Sequence, residues 1–202
     1  MSDGKSGGGS PRQSTHDKLL LAAIDLISQK GYKGVTTQEI ATAAEVTEKT
    51  LFRHFGSKLN LLETAFDRFH YTEEMTKLFK ERIIWDLQAD LTLITQTYHD
   101  MMNRNRKMIM ISIKEGDHLE GFRAKTMKPP RQLVEFLTRY FHTMFDQGKL
   151  IKVNAEIQAF AFITMHYGAF LNHLDSGANF PSVSLEDFIV ESVKTFTRAL
   201  TP

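Results

Sequence analysis

Between Thr47 and Phe55 the chain sets Glu48, Lys49, Thr50, Arg53 and His54 around two apolar residues, Leu51 and Phe55. If this stretch is helical, Leu51 and Phe55 share one face and the polar side chains line the other. These polar types donate and accept hydrogen bonds, and near the N-terminal end of an exposed helix they suit base edges in the major groove of DNA. Other chemistries find less support. The 8 histidines (His16, His54, His70, His99, His118, His142, His166 and His173) are scattered, and none falls in an HExxH pattern, so no metal site is expected. Cysteine is absent, which excludes disulfides and thiolate nucleophiles. There is no Gly-x-Ser-x-Gly elbow and no phosphate-binding or dinucleotide glycine pattern. An enzyme is not expected, and neither is a cofactor.

The elements that must hold these residues read as helices. No proline occurs between Pro11 and Pro129, and apolar residues recur there at three- and four-residue spacing. Ser14 with Asp17 marks the start of a first helix, Leu19, Leu20, Ala23, Ile24 and Ile27 form its apolar stripe, and Gly31 ends it. Thr36 with Glu39 opens a short second helix. Thr47 caps a third from Glu48 to about Phe55, and Ser57 caps a fourth running through Phe66 and Phe69. Further helices are expected near Asp86–Arg104, Arg106–Glu115, Pro129–Gln147, Asn154–Leu174 and Ser184–Leu200. The fold class is all-α with about nine helices. The tight connection Ala44-Glu45-Val46 between two short helices spells an N-terminal helix-turn-helix. A unit this small must bury Leu20, Ala23, Ile27, Val35, Ile40, Ala44, Val46, Leu51 and Phe55 together, and that turns the polar face of the third helix outward.

The expected organisation is a polar Gly/Ser-rich tail (1–14), a helix-turn-helix DNA-binding domain (15–60) and a ligand-binding and dimerisation domain (61–202). Lys plus Arg number 25 against 24 Asp plus Glu, so any attraction for nucleic acid must be local. No apolar run is long enough to span a bilayer, and the start carries no apolar stretch of signal-peptide type, so a cytoplasmic protein with no membrane partner is expected.

The run from Gly31 to Ala41, followed by Ala43-Ala44-Glu45-Val46-Thr47-Glu48-Lys49-Thr50-Leu51-Phe52-Arg53-His54-Phe55-Gly56-Ser57-Lys58-Leu59-Asn60-Leu61-Leu62, closely resembles the DNA-binding domain of TetR-family transcriptional regulators. The likeness spans Thr15 to Phe66. It implies phosphate contacts for Thr36 and Thr37 at the start of the second helix, and for Lys58 at the start of the fourth. It places Thr47, Lys49, Thr50, Arg53 and His54 at DNA. Glu48 either accepts from a cytosine amino group or serves the helix dipole. Two positions depart from the family. Phe52 stands where the family often has Tyr, so a phosphate-binding hydroxyl is missing, and Glu45 stands where the turn often has Gly. Glu45 is tolerable if its φ stays negative or is only mildly strained.

The rest of the chain is rich in Met and aromatic residues, which either make a helical core or line a cavity for an apolar ligand with a polar handle. In TetR-like proteins a pocket in this bundle holds the effector. The candidate lining is Phe66, Phe69, Tyr98, Met101, Met102, Met108, Phe141, Met144, Phe162, Met165 and His166. Ala159, Ile163, Tyr167, Phe170 and Leu171, with Val190, Val193 and Phe196 in the last helix, recur at helical spacing and are the candidate dimer interface. The expectation is therefore a homodimeric transcriptional regulator, acting as a repressor on a palindromic double-stranded DNA operator and released by a small apolar or amphipathic effector. The alternative is a dimeric helical small-molecule-binding protein that no longer reads DNA.

Overall fold

The computed structural model describes residues 14–69, 72–174 and 183–202. The expected tail (beyond Ser14), the loop Ser176–Pro181 and the side chain of Phe69 lie outside the described residues. Among those residues the chain forms helices and no strand: α1 (Thr15–Lys30), α2 (Thr37–Ala43), α3 (Glu48–Phe55), α4 (Lys58–Phe69), α5 (Thr72–Glu81), α6 (Leu87–Arg104), α7 (Arg106–Glu115), α8 (Phe122–Thr126), α9 (Lys128–Asp146), α10 (Ala155–Leu174) and α11 (Leu185–Leu200). The nine helices expected from caps and spacing are all present. The two additions, α5 and α8, occupy stretches where no N-cap motif announces a start.

The caps explain where the helices begin. Side chains of Ser14, Thr36, Thr47, Asp86 and Ser184 each accept the backbone N–H three residues on, satisfying a donor that the helix itself leaves open. Ser57 Oγ does the same for Asn60 N at 3.0 Å, and Asn154 Oδ1 for Ile157 N at 3.1 Å. At the other end of α1, Gly31 adopts φ +74°, and its N–H closes the helix on Ile27 O.

The chain divides into two compact units, Met1–Phe69 with Met110–Phe122, and His70–Ile109 with Arg123–Pro202. In the first, α1 packs on α2 and α4, and α3 packs on α2 and α4. Leu19, Leu20, Ala23, Ile40, Ala41, Leu51, Leu61, Leu62 and Ala65 are sealed from solvent. The boundary expected after residue 60 cuts through α4. That helix buries Leu61, Leu62 and Ala65 and packs against α1, so it stays whole within the first unit. Phe122 also belongs here, fully buried with its ring edge-on to Phe66 at 6.1 Å.

In the second unit α9 packs on α10 and α5, and α6 packs on α11 and α10. One apolar core runs through Leu91, Ile94, Met101, Leu137, Phe141, Phe162 and Val193. Two polar groups are built into it. Asp90, 1% exposed, accepts from Tyr140 Oη at 2.9 Å and from Ile84 N at 2.9 Å. His166, fully buried, shares a hydrogen bond with His99 at 3.1 Å and faces Ser192 Oγ at 3.4 Å. Burial, and secondarily the neighbouring His99 ring, push the His166 imidazole down to about 3, so it is neutral at physiological pH.

Candidate nucleic-acid interface

The α2–α3 connection is a Schellman turn. Ala44 ends α2, Val46 N–H reaches back to Ala41 O at 2.9 Å, and Glu45 N–H reaches Thr42 O at 3.0 Å. This geometry puts Glu45 in the left-handed region at φ +58°, not at the negative φ considered from sequence. Any side chain is strained there, which is the reason glycine usually occupies such a position. Glu45 retains a compensating ion pair, its Oε2 lying 3.2 Å from Lys18 Nζ.

The turn sets the face that α3 presents. Leu51 and Phe55 are buried beneath it, while Lys49, Phe52, Arg53 and His54 are exposed. Phe52 is 47% exposed, unusual for so large an apolar ring and suited to a thymine methyl or sugar rather than to a phosphate. His54 packs edge-on to His16 at 6.3 Å and beside Phe55 at 6.0 Å.

Several residues expected at DNA are engaged within the domain instead. Thr36 Oγ1 accepts from Glu39 N at 3.1 Å and donates to Glu39 Oε2 at 3.0 Å, while Thr36 N donates to Glu39 Oε2 at 2.8 Å. Its hydroxyl is thus occupied by the capping box. Lys30, 2.8 Å from Glu39, together with these Thr36 bonds holds the Glu39 carboxyl down to about 2. Thr37 Oγ1 donates to Glu48 Oε1, tying the start of α2 to the start of α3, so Glu48 is held as a brace. Thr47 Oγ1 accepts Thr50 N at 3.2 Å and also meets Thr50 Oγ1 at 3.0 Å, so both hydroxyls belong to the cap of α3.

Lys58 is the clearest correction. Its ammonium donates to Tyr32 O at 2.7 Å and Val35 O at 2.6 Å and sits 4.1 Å from the centre of the Tyr32 ring. Burial lowers its pKa, with Glu115 and Glu39 opposing. Rather than reaching out to a phosphate, Lys58 closes the connection between α1 and α2. Glu115, at the end of α7, docks on the same connection, its Oε1 accepting Tyr32 N at 2.9 Å. The two residues are 83 positions apart, and nothing in the local sequence marks the contact.

The net result is electrostatic. Lys18 and Lys30 are matched by Glu45 and Glu39, Glu48 is tied to Thr37, and Lys58 is internal. Among the described residues Lys49 and Arg53 make no ion pair, and both stand on the exposed face of α3 beside Phe52. A short helix held across a tight turn, with free cations and an aromatic ring outward, is the arrangement that enters a major groove.

Residues 19–65 match the family described as bacterial regulatory proteins, tetR family. That matched segment holds α1 to α3 and most of α4, the helix-turn-helix unit. The chain is 28% identical over 186 residues to the uncharacterized HTH-type transcriptional regulator YvkB of Bacillus subtilis, covering 92% of this chain and 97% of that protein. Over 143 residues it is 22% identical to IcaR of Staphylococcus aureus, the negative transcriptional regulator of the biofilm operon icaADBC, covering 70% and 75% of the two chains. Its fold matches the solved structure of AibR in complex with isovaleryl coenzyme A and operator DNA, with TM-score 0.63, 23% identity and coverage of 94% and 99%. The chain shares with that structure an N-terminal helix-turn-helix and a helical bundle after it.

The C-terminal bundle distributes the other expected residues differently. Tyr98, Met101, Met102, Met108, Phe141, Met144, Phe162 and His166 are all buried, and Met165 packs partly buried against the core. Except for Met108 and His166, they join one continuous apolar cluster. Phe66 lies in the first unit against Phe122. These residues therefore make core. An open groove lies between α5 and α9. For the dimer face, Ala159, Ile163, Phe170 and Val193 are buried in the chain's own core, and Tyr167, Leu171 and Phe196 are half-buried against it. Val190 alone of that set is well exposed. Helix α10 is apolar around most of its circumference, and its second apolar stripe is the one facing outward: Ile157 is 59% and Phe160 61% exposed, with Ala161 and Thr164 beside them. The spacing was readable. Which of two stripes the core would claim was not.

Among the described residues no helix is long and apolar enough to cross a membrane, and no group of three His, Asp or Glu side chains is placed to hold a metal ion.

Proposed function

We propose that this chain is a cytoplasmic homodimeric repressor that reads a palindromic operator through α3 and leaves it when a small apolar or amphipathic effector binds the bundle. The observation that carries the DNA reading is the unpaired Lys49 and Arg53 on the exposed face of α3, while Lys18 and Lys30 are paired with Glu45 and Glu39 and Lys58 is turned inward. Phe52 supplies apolar contact between them, and Thr47, Thr50 and Thr36 serve by holding the helix starts.

The outward stripe Ile157, Phe160, Ala161 and Thr164, with Val190 on α11, supports pairing with a second copy. At Gly168 a side chain would meet nothing within 4 Å, which leaves room for close helix approach. A two-fold pair sets two recognition helices about one DNA turn apart, roughly 34–36 Å, which is what a palindrome requires. The repressor direction is supported by the likeness to IcaR, and effector binding by the AibR complex. Glu115 ties α7 to the α1–α2 connection within the DNA-binding unit, a contact whose rearrangement would change how α3 is held. A coupling of about 1–3 kcal/mol suffices for a 5–150-fold change in operator affinity.

The test is selection of bound fragments from a random DNA library with the purified chain, followed by gel shift. A recovered palindrome, bound more weakly by Lys49→Ala and Arg53→Ala, is the expected outcome. Failure to enrich any sequence at low salt would favour a helical binding protein that does not read DNA.

A further inference from the structure

We propose that the groove between α5 and α9 binds a small aromatic carboxylate, and that this is the chemical class of the effector. The assignment rests on the effector-responsive reading above for its consequence, and on the groove alone for the binding.

The open groove offers about 230 Å³. At about 30 Å³ for each water it would displace, that is room for one ring with a short acid arm, on the order of ten non-hydrogen atoms. Its walls are aromatic. Phe79 and Phe136 lie 5.3 Å apart, and Trp85 stacks on Tyr140 at 5.7 Å with their planes 12° apart. A flat ring can pack on such aromatic faces by offset or edge-on contact.

The charge at the rim selects the rest of the ligand. Lys80 and Arg139 line the groove, and no carboxylate does. Neither cation makes an ion pair among the described residues. Arg139 lies over Phe136, its guanidinium 5.0 Å from the ring centre, leaving its N–H fork available. The hydroxyls of Thr76 and Thr143 donate to helix carbonyls, at 2.7 Å to Thr72 O and 3.1 Å to Arg139 O, so the charged donors lining the groove are the two cations. Tyr140 turns its hydroxyl inward to Asp90, whose two oxygens accept from Tyr140 and Ile84, so that buried carboxylate is covered beneath the wall.

Trp85 is held in place against its own backbone preference. Its φ is +63°, a conformation that bulky residues rarely adopt, and it is fixed by Lys149 Nζ donating to Trp85 O at 2.6 Å and by the stack on Tyr140. That conformation keeps the indole as a wall of the groove.

Trp85 is also the only tryptophan in the sequence, so its emission reports on the groove directly. The experiment titrates the full-length protein with phenylacetate and, separately, with the neutral phenylacetamide, following heat by calorimetry and indole emission. Expected are one phenylacetate per protomer with a saturable change in emission, and binding of the amide weaker by about tenfold or more. Arg139→Gln should weaken phenylacetate by about tenfold and leave the amide unchanged, with unaltered thermal unfolding because the side chain is exposed. Lys80→Gln provides a second, independent removal of charge. No saturable binding, equal binding of acid and amide, or indifference of phenylacetate to both substitutions overturns the site. Gel shift with the selected operator separates the two readings. Phenylacetate bound as described but without effect on DNA leaves the site standing and removes the effector role. Release of DNA by some other molecule, with phenylacetate unbound, does the reverse.

Discussion

Acid should unfold this protein through a group placed deep in the bundle. His166 is fully exposed to solvent in an unfolded chain, where its pKa is near 6.5, and fully buried in the native state, where burial and the His99 ring depress it to about 3. Below about pH 6.5 the unfolded chain takes up this proton and the native protein does not, so stability falls as pH drops through that window and the loss ends near 3. At about pH 5 nearly all unfolded molecules carry the proton and about one native molecule in a hundred does, a difference of about 2 kcal/mol. Urea unfolding at about pH 7.5 and about pH 5 measures it. His166→Gln keeps an amide able to meet His99 and Ser192 but cannot titrate. The variant should be less stable than the wild-type protein at the higher pH and should recover about 2 kcal/mol of that deficit at the lower one. If the two proteins instead lose stability in parallel, His166 takes up a proton in the folded state, and the picture of a neutral His166 imidazole in the core is wrong.

Three further outcomes are expected. Glu45→Gly should raise stability by about 0.5–1 kcal/mol in the same assay, because relief of the left-handed strain outweighs one exposed ion pair with Lys18; a destabilised variant would contradict the turn geometry. Lys58→Met should lower stability by about 1–3 kcal/mol, since it strips the Tyr32 and Val35 carbonyls of their donor, while the dependence of operator affinity on salt keeps its slope. Lys49→Ala should instead reduce that slope by about one counterion, read by gel shift over a salt series. Phe160→Glu should shift the protein to a monomer in light scattering without lowering its helix content, because the ring is 61% exposed; an unchanged dimer would place the interface elsewhere.

Much of the candidate site was legible because it is built from local rules. A capping residue and its partner three positions on, as in Thr36 with Glu39, act within one turn of helix, and Leu51 with Phe55 set the inward face of α3 by period alone. The outward set Lys49, Phe52, Arg53 and His54 then follows from the period. What could not be read were choices between equally good local options. Lys58 looks the same in sequence whether its ammonium meets a phosphate or the carbonyls of Tyr32 and Val35. Glu115 has no local reason to reach Tyr32. α10 offers two apolar stripes, and only packing against α9, α11 and α6 decides that Ala159, Ile163 and Phe170 go in while Ile157 and Phe160 stay out.

By itself, then, the order of residues determined the helices, their starts and the helix-turn-helix, since hydrogen bonds and side-chain periodicity within a helix extend over only a few residues. The partners of Lys58, the burial of His166 and the aromatic groove beside Trp85 were decided by the tertiary structure alone. Each depends on groups far apart in the chain meeting in a space from which water is removed, and desolvation is a property of the assembled core, not of any segment within it.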